Sequence, residues 1–280
     1  MWIATLSIGV LMAQLSVHSD PKTRMDIPYA GNENPRQTLD AYSPANAKGA
    51  PVVFWIHGGG WQAGSKKDVH LKPLAFTEKG FIFVSVNYRL LPEAQTIDQM
   101  GYDLARAMRW VVDHAAEIGA DPKRVFVMGH SAGAQLAALI CTDDRYLKAE
   151  KLSFDILKGC VPVDGDTYDV PMQIGMVEER RATSYKKKFG DEKTQKELSP
   201  ITHVARGKGI PSFLILHVAE HPETKAQSQK LAKALNDAGI QATAYPAEGK
   251  NHTTINNDLG SESDKTTQEL FKFLSQKLLK

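Results

Sequence analysis

A single α/β domain, with a mostly parallel sheet covered by helices on both faces, is what this sequence predicts, and three observations predict it. Apolar runs of strand length recur at Pro51 to Ile56, Gly80 to Asn87 and Val125 to Met128; strands that face solvent on one side alternate instead, so these are strands buried on both faces. Stretches of helical period lie between later runs, and a β, helix, β, helix order closes most simply as parallel strands joined by crossovers. At 280 residues, 42% hydrophobic and 24% charged, the chain has material for one large core, with no internal repeat or linker.

Taken in order, Ile3 to Val17 is mostly apolar, with small residues at Val17-His18-Ser19 before Asp20. It is too short to span a membrane and reads as a weak export signal over residues 1–19, with a structural N-terminal segment as the alternative. Cleavage there would put the protein outside the cytoplasm; without it the cytoplasm is expected. Residues 20–280 then form the domain. Lys22 to Tyr42 is polar and turn-rich, and Thr38 to Tyr42 alternates like an edge strand. Gln95 to Ile118 has a helical period through Met100, Leu104, Met108 and Val111. Leu157 to Val163, Ile210 to His217 and Gln241 to Tyr245 are the later strands, and helices follow at Thr224 to Ala238 and Ser261 to Lys280. From about 164 to 198 the pattern fails. This reads as a small cap-like insertion, whose Tyr168, Pro171, Met172, Ile174 and Met176 either line a pocket or pack among themselves on the surface.

The net charge of +2 carries no nucleic-acid signature. The one basic run, Arg180-Arg181 to Lys186-Lys187-Lys188, reads as a solvated face. Cys141 and Cys160 sit in apolar surroundings and decide nothing about compartment.

Two motifs carry chemistry. Gly129-His130-Ser131-Ala132-Gly133 follows a buried strand and opens an apolar helix, the pattern of a G-x-S-x-G nucleophile elbow. Such a turn lifts the serine hydroxyl above the sheet and aims the next helix's N-terminus at it. His57-Gly58-Gly59-Gly60-Trp61 ends another buried strand. Three successive glycines there suit close backbone approach, and the pattern matches the HGGG-type loop that donates N–H groups to an oxyanion. A phosphate loop is the competing idea, but no Gly-Lys-Ser/Thr follows.

With Asn87-Tyr88-Arg89-Leu90 and Asn251-His252, these motifs resemble the α/β-hydrolase fold from about Pro51 onward, and within it the hormone-sensitive-lipase-like esterases with their bacterial carboxylesterase and feruloyl-esterase-like (BD-FAE-like) branch. The resemblance implies a serine ester hydrolase without cofactor or metal, acting on a small-molecule ester. It implies an oxyanion hole from the N–H groups of Gly59, Gly60 and Ala132, with Trp61 and His130 at the substrate. A serine needs a base, and the base a third group to fix its tautomer. The order in this fold is Ser, Asp/Glu, His. His252 is the one histidine after the last expected strand and is the expected base. The family's acid follows the penultimate strand, where Val218 to Thr224 offers no Asp; Glu220 is the expected acid and Glu223 the alternative.

Readings from other classes are weaker. His217-Val-Ala-Glu220-His221 spells an inverted zinc-peptidase motif, which needs both histidines on one helix face, and the first closes a strand. A non-catalytic binding protein of this fold has no use for the serine, histidine and glycines together. An arylformamidase acting on N-formylkynurenine satisfies the same motifs and is the nearer alternative. Sequence leaves the acyl and alcohol specificity and the oligomeric state open.

Overall fold

The structure, a computed structural model, describes residues 21–279, so the apolar run at 3–17 and its cleavage positions lie outside the described residues. In chain order the elements are β1 (Lys22–Pro28), β2 (Thr38–Ser43), β3 (Ala50–Ile56), α1 (Lys72–Glu78), β4 (Ile82–Val86), α2 (Ile97–Asp113), α3 (Ala115–Ile118), β5 (Ala120–His130), α4 (Ala132–Thr142) and α5 (Arg145–Ala149), then β6 (Leu157–Val163), α6 (Val170–Met176), α7 (Glu179–Phe189), α8 (Glu192–Glu197), β7 (Phe213–Val218), α9 (Pro222–Asp237), β8 (Ala242–Ala247), α10 (Thr254–Asn257) and α11 (Lys265–Leu278). The strands form one sheet in the order β1-β2-β4-β3-β5-β6-β7-β8. From β4 to β8 every neighbouring pair is parallel; β1 and β2 join antiparallel at one side. The expected architecture is therefore the observed one.

The continuous apolar runs have the cause assigned to them. Along β3, Val52, Phe54 and Ile56 enter one core layer, and Val53 and Trp55 enter the other. The first layer is closed by α2, α4 and α9 and the second by α1 and α11 through Phe76, Leu270, Phe273 and Leu274. Every residue of α4 is buried, as expected of a helix apolar all round, and its alanines let it lie close on the sheet. Among the described residues no helix is long and apolar enough to cross a membrane.

Three elements differ from expectation. Thr38 to Tyr42 is not an edge: β1 pairs outside it. β1 is almost wholly exposed and carries no apolar period, and it is held by its backbone ladder with β2 and by the polar contacts of Arg24 and Asp26. Helix α1 is short, with a proline in its first turn, and too brief to show a period. Residues 164–198 are a stack of three short helices, α6 to α8, where no pattern was legible.

Register positions the site. Residue by residue, Val52 pairs with Val125 and Ile56 with Gly129, so β3 and β5 end side by side. The loops leaving them therefore start together, at the carboxyl ends of the strands where open parallel sheets hold their ligands. One of those loops is anchored by a buried ion pair: the Lys66 ammonium contacts the Asp40 carboxylate of β2, and both are almost completely buried. Lys66 also reaches Asp26 at 2.7 Å, and its N–H donates to Asn87 Oδ1 at 2.7 Å. Lys66→Met strands the Asp40 charge and should lower stability by about 3–5 kcal/mol. Chemical denaturation measures it, and the paired Asp40→Leu/Lys66→Met variant should recover much of the loss.

Candidate active site

Ser131 stands between β5 and α4 with φ 57 and ψ −120, a conformation few non-glycine residues adopt. It persists because its neighbours leave no alternative. A Cβ on Gly129 would lie 2.2 Å from the Gly133 carbonyl oxygen, and one on Gly133 would lie 2.2 Å from that of Ile56. The Ser131 N–H donates to the Val163 carbonyl at 2.9 Å, tying the turn to the end of β6.

The next residue after that anchor is Asp164. Its N–H donates to the Leu216 carbonyl at 2.7 Å, and its Oδ1 accepts the Val218 N–H at 2.9 Å. Its Oδ2 lies 2.6 Å from His252 Nδ1, and His252 Nε2 lies 3.0 Å from Ser131 Oγ. The carboxylate fixes the tautomer: Nδ1 holds the proton and Nε2 is free to accept from the serine hydroxyl. Burial alone would raise the Asp164 carboxyl, but bonds from His252, the Val218 N–H and Thr224 outweigh it and hold it below the ordinary carboxylate range. Asp164 in turn raises the His252 imidazole above its ordinary value, against a smaller opposing effect of burial.

The expected acid is thus corrected. Glu220 is exposed in the turn after β7, and the alternative, Glu223, pairs with Arg181 at 2.9 Å and His221 at 3.1 Å. The strand that matters is β6, a neighbour of β5, rather than β7 one position further out. A sequence signal existed: Asp164 follows a strand run directly and precedes Gly165. Its φ of 51 is a left-handed position that Asp tolerates better than most residues.

The glycine loop is braced from behind. His57 is buried and held neutral, its pKa pushed down to about 4 chiefly by burial. Its Nδ1–H donates to the Gly58 carbonyl at 2.7 Å, its ring stacks on Tyr88 at 4.5 Å, and the Tyr88 hydroxyl donates to the His57 carbonyl at 2.8 Å. In a trans peptide the N–H points opposite the C=O, so pinning the Gly58 carbonyl also aims the Gly59 N–H. Arg89 and Asp103 fix the next turn through two bonds of 2.8 and 2.6 Å. A Cβ on Gly58 would sit 3.1 Å from Ser131 Cβ, so glycine is what lets the loop touch the elbow.

Above the serine lies a cleft of about 420 Å³ lined by Gly60, Trp61, Ser131, Ala132 and His252, with α7 as its wall. Gly60 and Ala132 therefore face it, and in the loops and turns of the described chain neither N–H goes to a backbone partner. Gly59 lies behind them, its carbonyl closing a turn with the N–H groups of Gln62 and Ala63 at 3.1 and 2.9 Å. Trp61 lines the cleft, held by its Nε1–H on Gln135 Oε1 at 3.1 Å and edge-on against Phe189. His130 does not line it. It is buried, with its pKa lowered to about 3 mainly by burial, and its Nε2–H donates to the His252 carbonyl at 2.9 Å. Its bond holds the loop that carries His252. Tyr168, Pro171, Met172, Ile174 and Met176 are absent from the lining. Tyr168 is core and Met176 is exposed. The wall comes instead from the basic run, whose Arg181, Ser184, Tyr185 and Lys188 share one face of α7. His217 lies in β7 while His221 caps α9, so the zinc motif's histidines share no helix.

Comparison with known proteins agrees with this fold. The BD-FAE family model matches residues 39–235. The isoprenylcysteine alpha-carbonyl methylesterase of Arabidopsis thaliana is 28% identical over 262 residues, 88% of this chain and 60% of the methylesterase, so the chain spans under two thirds of that relative's length. The kynurenine formamidase of Danio rerio is 28% identical over 91% of this chain and 83% of its own. Among solved structures, esterase B of Lactobacillus rhamnosis superposes with a TM-score of 0.78 at 22% identity, covering 93% of this chain and 88% of that one. With elbow, glycine loop and sheet order in place and the family model matched over most of its length, the chain belongs to the BD-FAE family and has the α/β-hydrolase fold.

Proposed function

We propose that this protein is a carboxylic-ester hydrolase working through a serine acyl-enzyme, with Ser131, His252 and Asp164 as its triad. The observation that carries the reading is the unbroken run of hydrogen bonds from Ser131 Oγ through His252 to Asp164 at the floor of an open cleft. His252 takes the Ser131 proton as the hydroxyl attacks an ester carbonyl, and Asp164 stabilises the imidazolium. The N–H groups of Gly59, Gly60 and Ala132, with the positive end of α4, hold the tetrahedral oxyanion. The imidazolium then protonates the departing alcohol, and water repeats the sequence on the acyl-enzyme. A cleft of about 420 Å³ bordered by Trp61 and Tyr185 suits small or aromatic acyl groups.

The alternative is hydrolysis of N-formylkynurenine, favoured by the likeness to a kynurenine formamidase over 83% of that enzyme's length. Formamide cleavage would use the same serine and histidine. Turnover of p-nitrophenyl esters from acetyl to decanoyl, beside methyl ferulate and N-formylkynurenine, separates the two. Serine-dependent turnover of any ester supports the first reading, and turnover of formylkynurenine alone supports the second. Ser131→Ala should abolish turnover while leaving circular dichroism unchanged; substantial residual activity would overturn the nucleophile.

The acid is tested separately. Asp164→Asn should lower kcat by about 10³–10⁴-fold through the wrong histidine tautomer, whereas Glu220→Gln should leave kcat at the wild-type level. The reverse pattern would return Glu220 to the triad.

The pH profile follows from the sign of the His252 shift. The base works only when neutral, and Asp164 raises its pKa above the ordinary 6.5. Activity should therefore fall with acidification along a limb centred above 6.5 in kcat/KM for the wild type. A limb below that value would contradict the coupling.

A further inference from the structure

The wall of the cleft is polar where an esterase for plain alkyl esters needs only apolar surface. Residues 181, 184, 185 and 188 lie at i, i+3, i+4 and i+7 of α7 and face the cleft together. Their charges are not equally engaged. Arg181 pairs with Glu223 at 2.9 Å and Asp166 at 3.6 Å. Tyr185 donates its hydroxyl to Asp166 Oδ2 at 2.5 Å, and Gln173 donates to the same oxygen at 3.1 Å. The one carboxylate on this wall is thus surrounded by its own donors.

Lys188 is different. It is half-buried, and among the described residues no carboxylate lies within ion-pair distance of its ammonium and no hydrogen bond holds it. Its described contact is with the Trp61 ring, at 5.5 Å from ammonium to centroid. The ammonium also lies 3.8 Å from where a Cβ on Gly60 would stand, beside the glycine loop. Burial lowers its pKa and the Asp166 charge opposes this. A partly desolvated cation over an aromatic face, with no anion paired to it, gains from meeting one. Ser184, four residues earlier on the same face, adds a hydroxyl donor beside it.

We propose that Lys188, with Ser184, recognises a carboxylate on the substrate, so that the preferred substrates are esters bearing a negative charge on the acyl or alcohol part that lies against α7. The proposal rests on the hydrolase reading above for the reaction, but the recognition is testable without turnover. Two matched pairs carry the kinetic arm: p-nitrophenyl butyrate against mono-p-nitrophenyl succinate for an acyl-side charge, and phenyl acetate against 4-acetoxybenzoate for an alcohol-side charge. In Lys188→Gln the ratio of kcat/KM for the charged over the neutral ester should fall about tenfold in one pair, equivalent to about 1.4 kcal/mol. Lys188→Glu should take it lower, and Lys188→Arg should retain it. Added salt should weaken the charged substrate selectively. An unchanged ratio in both pairs overturns the proposal, as does an equal loss on charged and neutral esters.

The binding arm uses succinate itself, titrated calorimetrically into Ser131→Ala with Lys or Gln at 188. Weaker binding in the Gln variant supports the proposal, and equal affinity overturns it. If no ester is hydrolysed through Ser131 while succinate binding still depends on Lys188, the hydrolase reading fails and the anion site stands.

Discussion

The constraint on which the site depends is the near-contact of β3 and β5 at their carboxyl ends. There the Ile56 and His57 carbonyls press on the first turn of α4 so closely that a Cβ on Gly133 would lie 2.2 and 2.5 Å from them. The squeeze holds Ser131 at positive φ, sets the Ala132 N–H at the mouth of the cleft and brings the glycine loop over the elbow. The two core layers run up to this point, with Ile56 and Ala132 in one and Val163 in the other, so the site is braced by the packed interior. The strain at one residue is borne by an extensive sheet, and a large rigid scaffold is what makes such a residue affordable.

Three histidines near this point show how placement divides one chemistry into separate roles. His57 and His130 are buried with no carboxylate on their rings, so desolvation keeps them neutral and each donates a proton to a carbonyl: Gly58 for the first, His252 for the second. They act as rigid N–H donors that hold loops. His252 is half exposed and faces Asp164, so its pKa moves the other way. A neutral, clamped His130 also keeps a second positive charge away from the imidazolium that would form on His252, whose ring lies 4.5 Å off. The Asn251 side chain accepts the N–H groups of Thr253 and Thr254, and Lys250 bridges Asp258 and Asp264, so the loop carrying His252 is held on both sides.

Much of this was legible because it is written in local chemistry. Buried parallel strands must be apolar on both faces, and the two glycine motifs name their own turns. Ser131 and His252 followed from those. What sequence could not supply was distance across the sheet. Asp164 and Glu220 are both carboxylates just beyond a parallel strand, and the Gly165 that follows the first is too slight a signal to separate them. Only the strand order, with β6 beside β5, decides which one the histidine loop meets. For the same reason β1 escaped notice, since its ladder bonds are the property of any backbone and its exposed side chains carry no period. The direction of the His130 side chain was not legible either, because an elbow residue can point along the turn as well as into the cleft.

The chain between β6 and β7 joins these strands of argument. It begins with Asp164, which orients the base, continues through Asp166, and returns as α7, the wall over the serine. One crossover therefore supplies both the acid of the proposed triad and the wall of the cleft. Asp166 links the two: it binds Tyr185 and Arg181 of the wall and stands two residues from the acid. Burial raises its carboxyl, and the hydroxyl of Tyr185 with the charge of Arg181 pulls it back. Any change of wall residues that removes those donors leaves a buried carboxyl short of partners beside the triad, and it would relax by protonation or movement. Loops held on a rigid scaffold carry binding and catalytic residues alike. Here the two share a segment, so Arg181 and Tyr185 are constrained by the acid they support, whereas Lys188, engaged by neither Asp166 nor Glu223 as an ion-pair partner, is the wall position where charge can change without reaching the triad.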